Sequence, residues 1–165
     1  MRGIPKFVLS VTFVAMLATA FAGCRSNYKL STSSSPSGGG GISPASGTYE
    51  RRVSVNITAS PAPGYRFDHW EEGASGTSPT VQVMMDSDRN LAAYFTKVYT
   101  LSVTASPGNG GSVSPNSGTY DAGKQVTLTA ALAQYYKFNG WGGDSSGQSN
   151  SLTVTMDSNK VIVAS

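Results

Sequence analysis

Apolar and polar residues alternate along several short segments of the chain, and clusters of turn-forming residues separate these segments. Val55, Ile57 and Ala59 alternate with polar neighbours, and Tyr65 and Phe67 share one face of another short segment. A period of two is typical of β-strands with one buried face. The intervening clusters are rich in Gly, Pro, Ser, Asn and Asp, which form turns. The pattern predicts an all-β protein.

This pattern occurs twice, at a constant offset of 71 residues. Residues 28–94 align with 99–165 without a gap, and 28 of these 67 positions are identical. Within the copies, "NLAAYF" and "VIVA" are apolar on both faces, which predicts central strands. We therefore expect two tandem, small, mostly antiparallel β modules of about five or six strands each, at 28–98 and 99–165.

The N-terminal segment has the composition of a targeting signal. Arg2 and Lys6 precede the apolar run "FVLSVTFVAMLATAFAG", and the polar stretch "RSNYKLSTSSSPSGGGG" follows Cys24. An apolar run of this length is marginal for a membrane-spanning helix. The pattern predicts a signal peptide at 1–23. A flexible linker is expected at 24–41, with the first strand starting near residue 28.

The sequence "FAGC" that ends this segment resembles the lipobox of bacterial lipoproteins, with Phe21 where Leu is more frequent. The resemblance implies a lipidated Cys24 and an extracytoplasmic protein anchored to the cell membrane or the outer membrane. Two alternatives stay open: an ordinary secretory signal followed by an unmodified cysteine, or an uncleaved anchor.

Cleavage before Cys24 would change the charge balance. The net charge of the whole chain is +3, and loss of Arg2 and Lys6 leaves ten basic and nine acidic residues. A near-neutral chain presents no basic field for nucleic acid, so we expect no nucleic-acid partner. Cys24 is the only cysteine, so its lipidation would leave no thiol for a disulfide or a thiolate metal site.

The second copy, "YTLSVTASPGNGGSVSPNSGTYDAGKQVTLTA" followed by "YYKFNGWGGDSSGQSNSLTVTMDSNK", resembles the divergent internalin B B-repeat family of bacterial surface proteins. Both modules share this resemblance. It implies a β-grasp-like or related small β fold, display outside the cell in tandem arrays, and no enzymatic activity. The first copy departs from the pattern at "YERR" and the second at "ALAQYY", which we interpret as changes in loop shape.

The segment "YRFDHWEEG" is the first candidate for chemistry, because its only histidine lies among three carboxylates. The second copy has "YKFNGWGGD" at the same place, so Tyr, Phe and Trp are repeated while the acidic groups and the histidine are not. One histidine without further ligands at suitable spacing does not make a metal site. We interpret this segment as a solvated loop and as a candidate binding surface that includes Arg66, Asp68, His69, Glu71 and Glu72.

Two further motifs resemble known sites only in part. "GGDSSG" is similar to the sequence around a serine-protease nucleophile, but the second module contains no histidine to serve as its base. "DSDRN" places oxygen side chains at alternate positions, as calcium loops do, but lacks the later bidentate carboxylate. Both are interpreted as turns, and no cofactor or metal is expected.

Trp70 and Trp141 are the remaining candidates. The parity of the strand places them opposite Tyr65 and Phe67 unless the chain bends. Core or inter-module packing is the favoured interpretation, and a sugar-stacking surface is the alternative. The sequence thus predicts a lipid-anchored cell-surface protein whose repeats act as a non-catalytic spacer or an adhesion module that binds surface proteins. A module that binds envelope carbohydrate or peptidoglycan is the alternative, and a hydrolase is a remote third.

Overall fold

A computed structural model describes residues 26–165, and the strands of this part of the chain account for both repeats. There are thirteen: β1 (Asn27–Ser35), β2 (Gly40–Ser43), β3 (Gly47–Glu50), β4 (Ser54–Pro61), β5 (Tyr65–Glu72), β6 (Thr80–Met84), β7 (Arg89–Ala105), β8 (Gly111–Ser114), β9 (Ser117–Asp121), β10 (Gln125–Leu132), β11 (Trp141–Gly143), β12 (Ser151–Thr155) and β13 (Lys160–Ala164). No helix occurs among these residues. The all-β prediction is therefore confirmed.

Each module consists of two packed sheets. In the first module, the antiparallel sheet β2-β4-β6 faces a sheet formed by β5, the first half of β7, β1 and β3. In the second module, β8-β10-β12 faces β11, β13, the second half of β7 and β9. This is sheet-on-sheet packing, and the described residues lack the helix that a β-grasp would place over its sheet.

The space between the sheets is filled by the alternating apolar residues. Val55, Ile57 and Ala59 of β4 point inward, and their counterparts Val126, Leu128 and Ala130 of β10 do the same. The two cores are separate clusters with equivalent members. No polar or charged side chain is buried in the described part of the chain. Burial of apolar surface, which contributes about 25 cal/mol per Å², therefore stabilises each module.

Strand β7 belongs to both modules. Its first half pairs with β1 and β5, and its second half pairs with β9 and β13. The register places Tyr65 opposite Lys97 and Asp121 opposite Val98, so β5 and β9 pair with adjacent residues of β7. One seven-stranded sheet consequently runs through both modules without a linker between them.

The pairing is mostly antiparallel as expected, and the fold differs from the expected one in two respects, the number of strands and the extent of the linker. Each module contains seven strands, counting its half of β7, and one strand pair in each is parallel: β1 with β7 and β13 with β7. The first strand starts at Asn27, close to the predicted residue 28, but the flexible linker expected up to residue 41 is strand from Asn27 to Ser35 and again from Gly40. Its Ser and Thr residues suited a linker, but Leu30 in its middle is fully buried.

Residues 26–165 contain no helix that is long and apolar enough to cross a membrane. The signal peptide predicted at 1–23 and the lipidation predicted at Cys24 lie outside the described residues.

Candidate functional site at the module junction

Strand β5 contains "YRFDHWEEG" almost entirely, and a β-bulge interrupts it. Phe67 pairs with Phe95 and His69 pairs with Tyr94, so Asp68 is the extra residue. An extra residue shifts the alternation of side chains by one position. The segment is therefore a paired strand and not the solvated loop that the sequence suggested.

The bulge turns Trp70 into the core, on the same face as Phe67. The two rings lie 5.4 Å apart, and Trp70 is 2% exposed. Its indole Nε1 donates a hydrogen bond to the carbonyl of Ser78 at 2.9 Å. In the second module, Trp141 is 6% exposed and donates to the carbonyl of Ser149 at 2.7 Å.

Both tryptophans are thus core residues, as the favoured interpretation held. The alternative placed Trp70 and Trp141 on a binding surface, and it is wrong for these two side chains because neither indole face is accessible to a sugar ring. Strand parity had placed them outside. The bulge at Asp68 reverses the parity for Trp70, and the residues directly before Trp141 belong to no strand, so parity does not apply there.

A polar cluster on the outer face of the seven-stranded sheet, here named the junction cluster, contains Arg66, Asp68, His69 and Glu71 of β5. Arg66 donates from Nε and Nη2 to the two carboxylate oxygens of Asp121, at 2.7 and 2.9 Å. Its Nη1 donates to Asp68 at 2.7 Å. Because Arg66 lies in the first module and Asp121 in the second, this planar guanidinium joins the modules through a bidentate ion pair.

His69 continues the same cluster. Its Nδ1 lies 3.0 Å from a carboxylate oxygen of Asp68, and its Nε2 lies 3.1 Å from one of Glu71. The imidazole stacks on the ring of Tyr94, with centroids 4.8 Å apart and planes inclined by 7°. The bulge makes this arrangement, since it gives Asp68 access to both Arg66 and His69.

The electrostatics follow from these contacts. The hydrogen bonds from Arg66 lower the pKa of Asp121, and those from Arg66 and then His69 lower the pKa of Asp68. The carboxylate of Glu71, followed by that of Asp68, raises the pKa of His69. Glu71 also raises the pKa of Tyr94 by accepting its hydrogen bond. The cluster therefore favours charged Arg66, Asp68 and Asp121 together with a protonated His69.

These contacts give His69 a structural position within the polar cluster. Both ring nitrogens of His69 are engaged by carboxylates, and the side chain is about one-third exposed. Glu72, the other acidic residue of the segment, is exposed at the end of β5 with a φ of 69°. Nowhere in residues 26–165 do three or more His, Cys, Asp or Glu side chains group in a way that could hold a metal ion.

The calcium-like motif "DSDRN" has a structural use in both modules. Asp88 accepts a hydrogen bond from the backbone N–H of Lys29 at 2.7 Å, and its counterpart Asn159 accepts one from Thr100 at 2.9 Å. Asp86 pairs with Arg89, as Asp157 pairs with Lys160 in the second module. The alternating oxygens thus tie the turn to the start of the neighbouring strand.

The motif "GGDSSG" also forms a turn. The carboxylate of Asp144 accepts a hydrogen bond from the backbone N–H of Val161 at 2.7 Å, while the Asp144 N–H donates to the carbonyl of Val161. The only histidine lies in the other module. The motif fixes the end of β11 against β13.

Asp121 and Tyr94 belong to the cluster but were not candidates from sequence. Both sit beside the junction, Tyr94 within β7 and Asp121 opposite Val98. The signal that could have found them is the run from Leu91 to Ala105, which contains no Gly or Pro. An uninterrupted run of this kind predicts one strand shared by both modules, and a shared strand places β5 next to β9.

Two packed sheets per module, repeated along a shared strand, define a tandem all-β repeat protein. A family model, the divergent InlB B-repeat domain, matches residues 30–99 and again residues 101–165. The chain belongs to this family. Comparisons with curated proteins and with solved structures gave no match.

Proposed function

We propose that this protein is a lipid-anchored, non-catalytic spacer that holds a stiff pair of modules at the bacterial cell surface and offers their outer face for adhesion. The B-repeat family is a non-catalytic repeat module, typical of bacterial surface proteins. Membership of this family therefore supports a location at the cell surface. The anchor, the stiffness and the adhesive role are the proposal.

The observation that supports the proposal is the shared strand β7. A flexible tandem array needs a linker in which the backbone is free to rotate. Here Lys97 and Val98, the residues between the two halves, both pair within the sheet. The bidentate pair of Arg66 and Asp121 spans the same point. Bending at the junction would break backbone and side-chain hydrogen bonds together.

A distance measurement between the modules tests the stiffness. The soluble fragment from Arg25 onward contains no cysteine, so Ser75→Cys and Ser146→Cys introduce two label sites at equivalent exposed positions. Double electron–electron resonance should give one narrow distance distribution. A flexible Gly-Ser insertion after Lys97 serves as the matched control and should broaden it. A broad distribution in the fragment without the insertion would refute the spacer role.

The anchor is tested separately. Radiolabelled palmitate should enter the full chain, and Cys24→Ala should abolish the label and release the protein from the membrane fraction. Label that persists in Cys24→Ala would refute the lipid anchor without affecting the conclusion about stiffness.

Adhesion needs its own screen, since the family does not define a ligand. The fragment from Arg25 onward would be tested against envelope polysaccharides and surface proteins. Binding of a ligand that is lost in Glu71→Gln or Asp68→Asn would place the contact on the junction cluster. Binding that neither substitution alters would place it elsewhere.

A further inference from the structure

The turn between β3 and β4 has the same backbone hydrogen bonds as its counterpart in the second module but different side chains. The N–H of Arg51 donates to the carbonyl of Ser26 at 3.0 Å, and the N–H of its counterpart Ala122 donates to that of Lys97 at 2.9 Å. The next N–H in each turn donates to the methionine that follows β6 or β12, at 2.8 Å in both modules. The departure from the repeat pattern at "YERR" therefore changes the surface of the turn and not, as the sequence suggested, its shape.

Arg52 occupies a left-handed position of this turn. Its φ is 67°, and the second module has Gly123 at the same place with a φ of 80°. Left-handed backbone favours glycine, because a Cβ atom crowds the neighbouring carbonyl oxygen. Glycine would therefore suit the turn better than arginine does. An arginine in this disfavoured conformation indicates a use for its side chain outside the turn.

Two apolar side chains are exposed beside these arginines. Val53 follows Arg52 directly and is 40% exposed, and Met84, which pairs across the sheet with Ser54, is 54% exposed. Arg51 and Arg52 are also exposed. Within the described part of the chain, neither guanidinium takes part in an ion pair. We name Arg51, Arg52, Val53 and Met84 the anchor-end patch.

The anchor-end patch belongs to the first module alone. Its counterparts in the second module are Ala122, Gly123, Lys124 and Thr155. Lys124 and Thr155 are exposed although the first module adjoins the same turn. Val53 and Met84 therefore occupy positions that stay open even where another module is joined to this end, and their exposure does not depend on what precedes the first strand.

The first module also differs from the second in its distance from Cys24. Arg51 is hydrogen-bonded to Ser26, and Cys24 precedes Ser26 by two residues, which span at most about 7 Å. Lipidation of Cys24 would bury its acyl chains in the bilayer and so bring the anchor-end patch to the lipid headgroups. A guanidinium binds phosphate oxygens through paired hydrogen bonds, and exposed apolar side chains enter the boundary between headgroups and acyl chains.

We propose that the anchor-end patch binds the surface of the bilayer in which the chain is anchored. Arg51 and Arg52 bind lipid phosphate groups, and Val53 and Met84 enter the headgroup region. This inference rests on the proposed lipidation of Cys24. It adds a second contact to the anchor, so that the first module is held at a defined angle to the membrane.

The test uses the full lipidated chain in vesicles of phosphatidylethanolamine and phosphatidylglycerol. Met84→Cys provides a thiol for an environment-sensitive fluorophore, and Thr155→Cys places the same label at the equivalent position of the second module. The sulfur of a lipidated Cys24 is a thioether and takes no label. Lipids with a nitroxide on the headgroup quench fluorophores at the bilayer surface. We expect blue-shifted, quenched emission from the label at position 84 and neither effect at position 155.

A double variant tests the arginines. Arg51→Ala with Arg52→Gly copies the turn of the second module, which the fold accommodates, and it should lose most of the quenching at position 84. Lys124→Gln with Lys137→Gln removes the same number of positive charges from the second module and should leave the quenching unchanged. Quenching that the arginine variant retains would overturn the proposal, and so would equal quenching at positions 84 and 155.

Two further outcomes separate this proposal from the anchor and from self-association. A chain that does not float with the vesicles would refute the lipid anchor and this inference with it, whereas a floating chain with an unquenched label at position 84 would refute this inference alone. A blue shift at position 84 that grows with protein density and does not respond to the nitroxide lipid would mean that a second copy of the chain covers the patch, and would overturn the proposal.

Discussion

Arg66 and Asp121 lie 55 residues apart in the sequence and in different modules, yet their side chains meet through two parallel hydrogen bonds. They meet because β5 and β9 pair with neighbouring residues of β7. The contact is therefore a product of the shared strand, and it reports on the angle between the modules. A contact of this kind allows the junction to be tested one side chain at a time.

A double-mutant cycle measures what this ion pair contributes. Both side chains are 45% exposed, so solvent screens the interaction and we expect a coupling free energy of about 0.5–1 kcal/mol between Arg66→Ala and Asp121→Ala. Thermal unfolding of the four proteins gives the value. The pair Lys160 and Asp157, which lies within one module, is the control for a contact that does not cross the junction.

The same pair predicts how stability changes in acid. The folded pKa of Asp121 lies below the ordinary value of 3.8 because of Arg66, so its contribution is present above pH 3.8 and is lost as the pH falls through the folded pKa. Asp121→Asn should therefore lose less stability than the parent in that range. If the stability of both proteins fell equally with decreasing pH, the lowered pKa of Asp121 would be contradicted.

Histidine titration probes the other half of the cluster. The pKa of His69 is raised above 6.5, chiefly by Glu71 and next by Asp68. Because the folded pKa is the higher one, the stabilisation is complete below pH 6.5 and is lost as the pH rises through the folded pKa. His69 is the only histidine, so its NMR titration is unambiguous.

Glu71→Gln should lower the pKa of His69 more than Asp68→Asn does, since the Glu71 hydrogen bond is the larger cause. Glu72→Gln is the matched control on the same strand and should leave the titration nearly unchanged. A His69 that titrates at 6.5 in the parent, or that responds most to Glu72→Gln, would show that the contacts to Asp68 and Glu71 do not persist in solution.

The sequence predicts most of the fold because the same alternation occurs twice. Residues such as Ile57 and Leu128 occupy equivalent core positions, and their period of two specifies both strand and face. The pairing partners could not be predicted in the same way. Alternation states which face a strand buries but not whether its neighbour is parallel, and the parallel pairing of β1 with β7 brings together residues about 60 positions apart.

The candidate site was harder to predict than the core. The segment containing His69 divides into an aromatic framework that is repeated and polar residues that occur only in the first copy. Its geometry depends on the bulge at Asp68 and on Asp121 from the other module. A single extra residue in a ladder leaves no periodic trace, and a contact across modules requires the continuity of β7. Neither is a local property of the sequence.

The repeat also supplies its own control for the turn after β6. Asp88 accepts a hydrogen bond from the backbone N–H of Lys29. At the equivalent place, Asn159 accepts a hydrogen bond from the backbone N–H of Thr100. Asp88→Asn should therefore leave the free energy of unfolding nearly unchanged, and Asp88→Ala should lower it by about 1 kcal/mol because one hydrogen bond is lost. Urea unfolding measures both variants.

If Asp88 bound a calcium ion instead, Asp88→Asn would lower the free energy of unfolding, and the size of this loss would depend on whether calcium is present. Unfolding in calcium and in EDTA separates the two cases, and we expect superimposable curves for the parent and for Asp88→Asn. A calcium-dependent Tm in the parent that disappears in Asp88→Asn would contradict the structural use of this carboxylate.

The continuity of β7 makes one further prediction, at Val98. The Val98 N–H donates to the carbonyl of Gly64 at 2.8 Å, at the point where the strand passes from one module to the other. Proline at this position removes the donor and disfavours continuation of the ladder. Val98→Pro should uncouple the modules, while Val98→Thr retains the N–H and should change stability by less than about 0.5 kcal/mol.

Trp70 and Trp141 are buried in different cores, so each can report on its own module by fluorescence when the other is replaced by phenylalanine. In the parent background we expect the two reporters to unfold in one coincident transition, because the modules share a strand and an ion pair. In the Val98→Pro background the midpoints should separate. Coincident transitions that persist after Val98→Pro would mean that the cooperativity does not pass through β7, and distinct transitions already in the parent would mean that the modules fold independently.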